Sequence, residues 1–191
     1  MVVVGLGNPG PRYANTRHNV GYIAVDRISA GPPLSFRRRL FASYAVGHPH
    51  IPETFRKIVA VRYLGYMNRS GEMAPALLRR YGLDPSDLLV VVDNMDLPPG
   101  SCRLKKGGGD AGHNGLKSMV GFLGTGGFLR LYIGVGRPEK GTSVVDHVLG
   151  VPEDEELSAI DAACTRAAKA IRNLAESSFG KVAEEFNRRG S

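Results

Sequence analysis

The sequence predicts an α/β fold in a single domain, and three observations carry that reading. Short β-branched runs recur at Val2-Val3-Val4, Ile58-Val59-Ala60-Val61, Leu88 to Val92 and Leu131 to Val135. Stretches with helical spacing lie between them, so strands alternate with helices. The 191 residues are 42% hydrophobic and 23% charged, enough apolar material for one core without disulfides or structural metals.

Taken in order, the first strand runs into Gly5-Leu6-Gly7-Asn8-Pro9-Gly10, which satisfies the G-x-G-x-x-G dinucleotide pattern. Two features weaken that match. In the dinucleotide motif the third glycine sits in the opening turn of a helix, whereas Gly10 is followed by Pro11-Arg12-Tyr13; and the nearest acid, Asp26, falls inside a helical pattern instead of ending a second strand. A nicotinamide or flavin enzyme is therefore the lower-ranked alternative. The turn is read instead as a device presenting Asn8 beside Thr16-Arg17-His18-Asn19, at a strand end where ligands of open α/β sheets bind.

A helix follows from Val20 to Ile28, with Ile23, Val25 and Ile28 apolar. Gly31 to Arg39 reads as a loop leading to the run Arg37-Arg38-Arg39, a solvated face or a phosphate contact. The strand at Ile58 to Val61 precedes a helix at Ala74 to Tyr81. The strand at Leu88 to Val92 ends on Asp93-Asn94-Met95-Asp96, and a helix at Leu116 to Leu123 precedes the strand at Leu131 to Val135. The strongest helical pattern spans Glu153 to Glu176, where Leu157, Ile160, Cys164, Ala167, Ile171 and Leu174 share a stripe and acids crowd the first turn.

The net charge of +7 favours a polyanionic partner such as nucleic acid. Cys102 and Cys164 form no C-x-x-C pair, which points away from zinc and redox motifs and towards a reduced, cytoplasmic setting. The apolar start from Met1 to Leu6 is too short for a signal peptide, and no run approaches the length of a membrane span.

Chemistry concentrates at strand ends. A carboxylate emerging from a buried strand needs a partner, so Asp93 is read either as orienting one nitrogen of His18 or as capping the turn after it. Gly107-Gly108-Gly109 with Arg103, Lys105 and Lys106, ahead of a helix starting near His113, suits a phosphate; the plain alternative is a flexible loop. Asn68 and Asn114 each precede a helix and can serve simply as caps. There is no G-x-S-x-G elbow, and His48-Pro49-His50 lacks a third metal ligand at suitable spacing. Asp93 with Asp96 would make only a thin magnesium site.

The four blocks Gly5-Leu6-Gly7-Asn8-Pro9-Gly10 with Thr16-Arg17-His18-Asn19, Tyr66-Met67-Asn68-Arg69-Ser70-Gly71, Asp93 to Gly100, and Gly112-His113-Asn114-Gly115-Leu116-Lys117 resemble bacterial peptidyl-tRNA hydrolases over essentially the whole chain. The resemblance implies a monomeric enzyme without metal or cofactor, with a mixed twisted sheet surrounded by helices. It further implies that His18 activates water, Asp93 supports it, and Asn8 helps distinguish blocked from free aminoacyl-tRNA. Tyr13, Tyr66, Met67, Asn68, His113 and Asn114 match positions that hold the substrate, with Arg103 and Lys105 towards the tRNA. A plant relative assists RNA splicing without hydrolysis, but a pure binder has no need of His18 and Asp93. Two departures stand out. Asn94-Met95 replaces a common Glu-Leu, and Arg130-Leu131-Tyr132 replaces a common Arg-Leu-Arg. The second removes an arginine associated with holding the tRNA 5′-phosphate, leaving Lys105, Arg103 or Arg130 to carry that contact.

Overall fold

The first strand, β1 (Val2–Gly5), is buried on both faces, which is why it reads as an unbroken run of valines. It lies between β4 (Val59–Tyr63) and β5 (Leu88–Asn94), parallel to both, and β5 pairs in parallel with β7 (Leu129–Gly134). Antiparallel strands finish the edges: β2 (Arg37–Arg38) and β3 (Tyr44–Gly47) beyond β4, and β6 (Cys102–Lys106) beyond β7. The result is a seven-stranded mixed sheet in the order β2-β3-β4-β1-β5-β7-β6. The computed structural model describes residues 1–38, 42–51 and 56–188; Arg39, the third of the arginine run, lies outside them.

Strand alternation sorts the core into two layers. Val3, Leu89 and Val91 face α1 (Val20–Asp26), α5 (Asp154–Glu176) and α6 (Phe179–Arg188). Val2, Val4, Val90 and Val92 face α2 (Ala74–Tyr81) and α3 (Asn114–Leu123). The stripe predicted on α5 is the buried one, with Ile160, Cys164, Ala167, Ile171 and Leu174 inside; each large apolar side chain so buried contributes about 1.5–3 kcal/mol. Leu157 departs from that stripe and stays exposed. No helix among the described residues is long and apolar enough to cross a membrane.

Close backbone approach explains the glycines that mimic a dinucleotide motif. A Cβ on Gly5 would sit 2.4 Å from the Gly21 carbonyl, and one on Gly21 would sit 2.4 Å from the carbonyl of Val91. Both must be glycine for α1 to lie directly on β1 and β5. Gly7 makes room for the Tyr22 ring in the same way. This packing brings the residues just before α1 to the C-terminal end of β5.

Three differences from the sequence reading have physical causes. The strand β6 alternates Cys102 and Leu104 inward with Arg103 and Lys105 outward, a period-two signal masked by its basic composition. The short β3 ends on a glycine. A further helix, α4 (Val144–Leu149), opens with Ser143 accepting the Asp146 amide, a capping pattern visible in Ser143-Val144-Val145-Asp146.

Candidate active site

The site forms at the C-terminal ends of β1 and β5. His18 sits in a one-turn 3-10 segment, Arg17–Asn19, that leads into α1. Its neighbour Arg17 ties this turn to α5 through a bidentate pair with Glu156, at 2.8 and 2.5 Å, and donates to the His147 carbonyl at 3.2 Å. The turn is thus held from both ends. Asp93 continues the strand phase of Leu89 and Val91, the phase that faces α1, and its Oδ1 lies 2.8 Å from His18 Nδ1.

A second histidine shares the same oxygen. His113 is the N-cap of α3, and its Nδ1 accepts the amides of Gly115 at 3.1 Å and Leu116 at 3.2 Å. A nitrogen that accepts carries no proton, so the ring proton of His113 is on Nε2 and is donated to Asp93 Oδ1 at 3.0 Å. The two imidazoles stand 4.9 Å apart between centroids. Burial works to raise the Asp93 carboxyl. The electrostatic pull and hydrogen bonds of His113 and His18 outweigh it and hold the group well below the usual carboxylate range. With an ionised acceptor on Nδ1, His18 keeps its proton there. Its Nε2 lone pair has no partner among the described residues.

Two groups that the phosphate reading of the glycine loop could draw on are otherwise engaged. The Gly115 and Leu116 amides in the first turn of α3 are occupied by His113 and are not open to an anion. Arg130 is fully buried, its guanidinium lying over the Phe128 ring and donating to the carbonyls of Gly108, Gly109 and Gly126 and to the Tyr132 hydroxyl. It braces the loop and has no face left for phosphate. Arg103 and Lys105 remain exposed on the outer strand β6, paired in register with Tyr132 and Arg130.

Asn8 is almost wholly buried. Its Oδ1 accepts the Met67 amide at 2.8 Å, and its own main chain is gripped by Asn19, whose Oδ1 accepts the Asn8 amide at 2.8 Å while its Nδ2 donates to the Asn8 carbonyl at 3.0 Å. The Nδ2 donor of Asn8 is left without a partner among the described residues. The sequence placed Asn19 in the block beside Asn8 without giving it a role; the structure makes it the N-cap position of α1 with its side chain spent on Asn8. Met67 is buried, and its sulfur packs where a side chain on Gly115 would lie.

His18, Asp93, His113 and Asn114 line a cavity of about 380 Å³, walled by Val144, Val145 and Val148. Asn114 also lines an adjoining cleft of about 430 Å³ with Asn68 and Lys117. Neither Asn68 nor Asn114 makes a capping bond: Tyr66 and His113 occupy those cap positions. Tyr66 is 60% exposed, and Tyr13 sits half-buried under Arg12 outside the His18 cavity.

His18, Asp93 and His113 offer donor atoms within 4.8 Å of one another, a spacing a metal ion could bridge. The bonding pattern suits protons better, because Asp93 Oδ1 already accepts from both rings and the amides saturate His113 Nδ1. Chemically, the arrangement provides a base nitrogen, a fixed anion behind it, and amide donors beside it.

A model of the peptidyl-tRNA hydrolase family matches residues 2–191. The chain is similar to the peptidyl-tRNA hydrolase of Bacillus licheniformis, 43% identical with 98% of both chains covered. It is also similar to that of Dehalococcoides mccartyi, 41% identical with 97% of this chain and 98% of the other covered. The crystal structure of the peptidyl-tRNA hydrolase from Acinetobacter baumannii superposes with a TM-score of 0.88 at 33% identity, covering 97% of this chain and 93% of that one.

Proposed function

The chain belongs to the peptidyl-tRNA hydrolase family and is a hydrolase of peptidyl-tRNA; from that premise we propose that it cuts the ester between a peptide and the 3′ end of tRNA with water activated at His18. The observation that carries this reading is the 2.8 Å contact between His18 Nδ1 and Asp93 Oδ1, which leaves Nε2 as the free base.

Nε2 removes a proton from water as the oxygen attacks the ester carbonyl. The imidazolium that forms lies against the Asp93 carboxylate, whose Oδ1 also accepts from His113 Nε2. The oxyanion of the tetrahedral intermediate meets the unpartnered Asn8 amide and Asn114, each worth about 3 kcal/mol if well aligned. Collapse breaks the bond to the ribose 3′-oxygen, which takes the proton back from His18. No covalent enzyme intermediate is needed, because an ester is already an activated acyl group.

Around this centre, Val144, Val145 and Val148 offer an apolar wall to the peptide, and Asn68, which lines the adjoining cleft, serves the nucleotide end together with Tyr13, Tyr66 and Met67. Arg103 and Lys105 attract the acceptor-stem phosphates. The enzyme acts as a monomer in the cytoplasm and returns tRNA from peptides dropped by the ribosome. The test is release of the acyl group from N-blocked and unblocked aminoacyl-tRNA in the presence of EDTA. Cleavage of the blocked form alone is expected; equal cleavage of both, or loss of activity in EDTA, contradicts the reading.

A further inference from the structure

At the β2 edge of the sheet, a groove of about 950 Å³ is lined by Arg37, Arg38, His48 and Arg80 together with Tyr44 and Tyr81. Arg37 lies opposite Val46 and so shares the sheet face of Tyr44 and Val46, beside the end of α2 that supplies Arg80 and Tyr81. No Asp or Glu lines the groove among the described residues. Of the arginines outside the groove, six, among them Arg27, Arg69 and Arg137, each pair with a carboxylate, while others such as Arg166 and Arg172 donate to main-chain carbonyls. None of the three in the groove pairs with a carboxylate among the described residues. Arg38 reaches only the Ala42 carbonyl at 3.4 Å, and Arg80 only the ring of Tyr81.

Guanidinium groups gathered in one concavity with no carboxylate partner among the described residues repel each other, so their common feature is the ligand they would suit. We infer that this groove is a second RNA-binding surface, taking the phosphodiester backbone on Arg37, Arg38 and Arg80. The planar fork of arginine matches phosphate oxygens, and the half-buried Tyr81 offers an aromatic ring beside them. A lipid surface fits less well, because none of the large exposed apolar side chains among the described residues, such as Phe122 or Val145, lies in the groove. The groove shares no lining residue with the His18 cavity. It is three strand spacings, about 14 Å, from β1 and on the opposite edge of the sheet from Arg103 and Lys105.

The experiment is fluorescence anisotropy of a labelled RNA hairpin carrying no acyl group, titrated with wild type and with the triple variant Arg37→Glu, Arg38→Glu, Arg80→Glu. The variant should bind at least tenfold more weakly, with a log–log salt slope shallower by about 2 to 3. Its hydrolysis of a short N-blocked aminoacyl oligonucleotide should match wild type, which establishes folding; the triple glutamine variant serves if charge reversal impairs folding. Unchanged hairpin affinity in a folded variant overturns the inference. So does loss of binding to phosphatidylserine vesicles with RNA binding intact. Because anisotropy does not depend on ester cleavage, either result leaves the proposed function to be judged separately.

Discussion

Asn19 closes a ring of two hydrogen bonds on the main chain of Asn8, accepting its amide at 2.8 Å and donating to its carbonyl at 3.0 Å. Asn8 therefore reaches the site in one orientation, fixed from behind by Asn19 and in front by the Met67 amide. Asn19→Ala strips both buried groups of their partners, at a cost of about 2–4 kcal/mol in stability. Denaturant unfolding should register that loss, and kinetics should show kcat falling more than KM, since the amide it positions serves the oxyanion.

Asp93→Asn keeps the shape and removes the charge behind His18. A loss in kcat of about 10²-fold or more is expected, within the range of general-base effects. The same variant tests the ionisation of Asp93. Its carboxyl is held low in the folded protein, so its contribution to stability is fully present above its ordinary value of 3.8 and is lost as pH falls below that. Melting temperatures measured between pH 3 and 7 should decline less steeply on the acid side for Asp93→Asn than for wild type.

Arg130→Met leaves the carbonyls of Gly108, Gly109 and Gly126 without their buried donor. We expect a loss of about 3 kcal/mol in stability. KM for tRNA substrates should rise as the loop beside Lys105 loosens, while cleavage of a short acyl-nucleotide substrate keeps its kcat. A raised KM with unchanged stability would instead mean that Arg130 meets the phosphate itself.

Burial pushes the Cys102 thiol up to about 11 and the Cys164 thiol up to about 12, from an ordinary 9.0. Neither should react with a thiol reagent at pH 8 in the native protein, and both should react in denaturant. The linkage runs towards alkaline instability. Unfolded thiols ionise from about pH 9 while the folded ones stay protonated, so the thiol contribution to stability is intact below pH 9 and is lost as pH climbs towards 11 and 12.

How much of this was legible beforehand varied with how local its cause is. The valine run of β1 and the run Leu88 to Val92 announced themselves because both faces of those strands are buried. His18 and Asp93 could be singled out as candidates from strand-end chemistry, but 75 positions separate them, and only the packing of Gly21 on β5 brings them to 2.8 Å. The role of His113 was out of reach for a similar reason. It takes two amides on one nitrogen and a carboxylate on the other, and nothing in Gly112-His113-Asn114 signals the second contact. Arg130 misled because a basic residue beside a glycine loop looks like a phosphate ligand until its burial is known.

The central claim is that His18 Nε2 activates water, and hydrolysis of N-blocked aminoacyl-tRNA by wild type and His18→Ala tests it most directly. The account predicts that kcat falls by about 10²- to 10⁴-fold while KM changes little and the fold is retained. A folded His18→Ala variant that keeps more than about a tenth of the wild-type kcat would contradict it, because a general base is worth more than that.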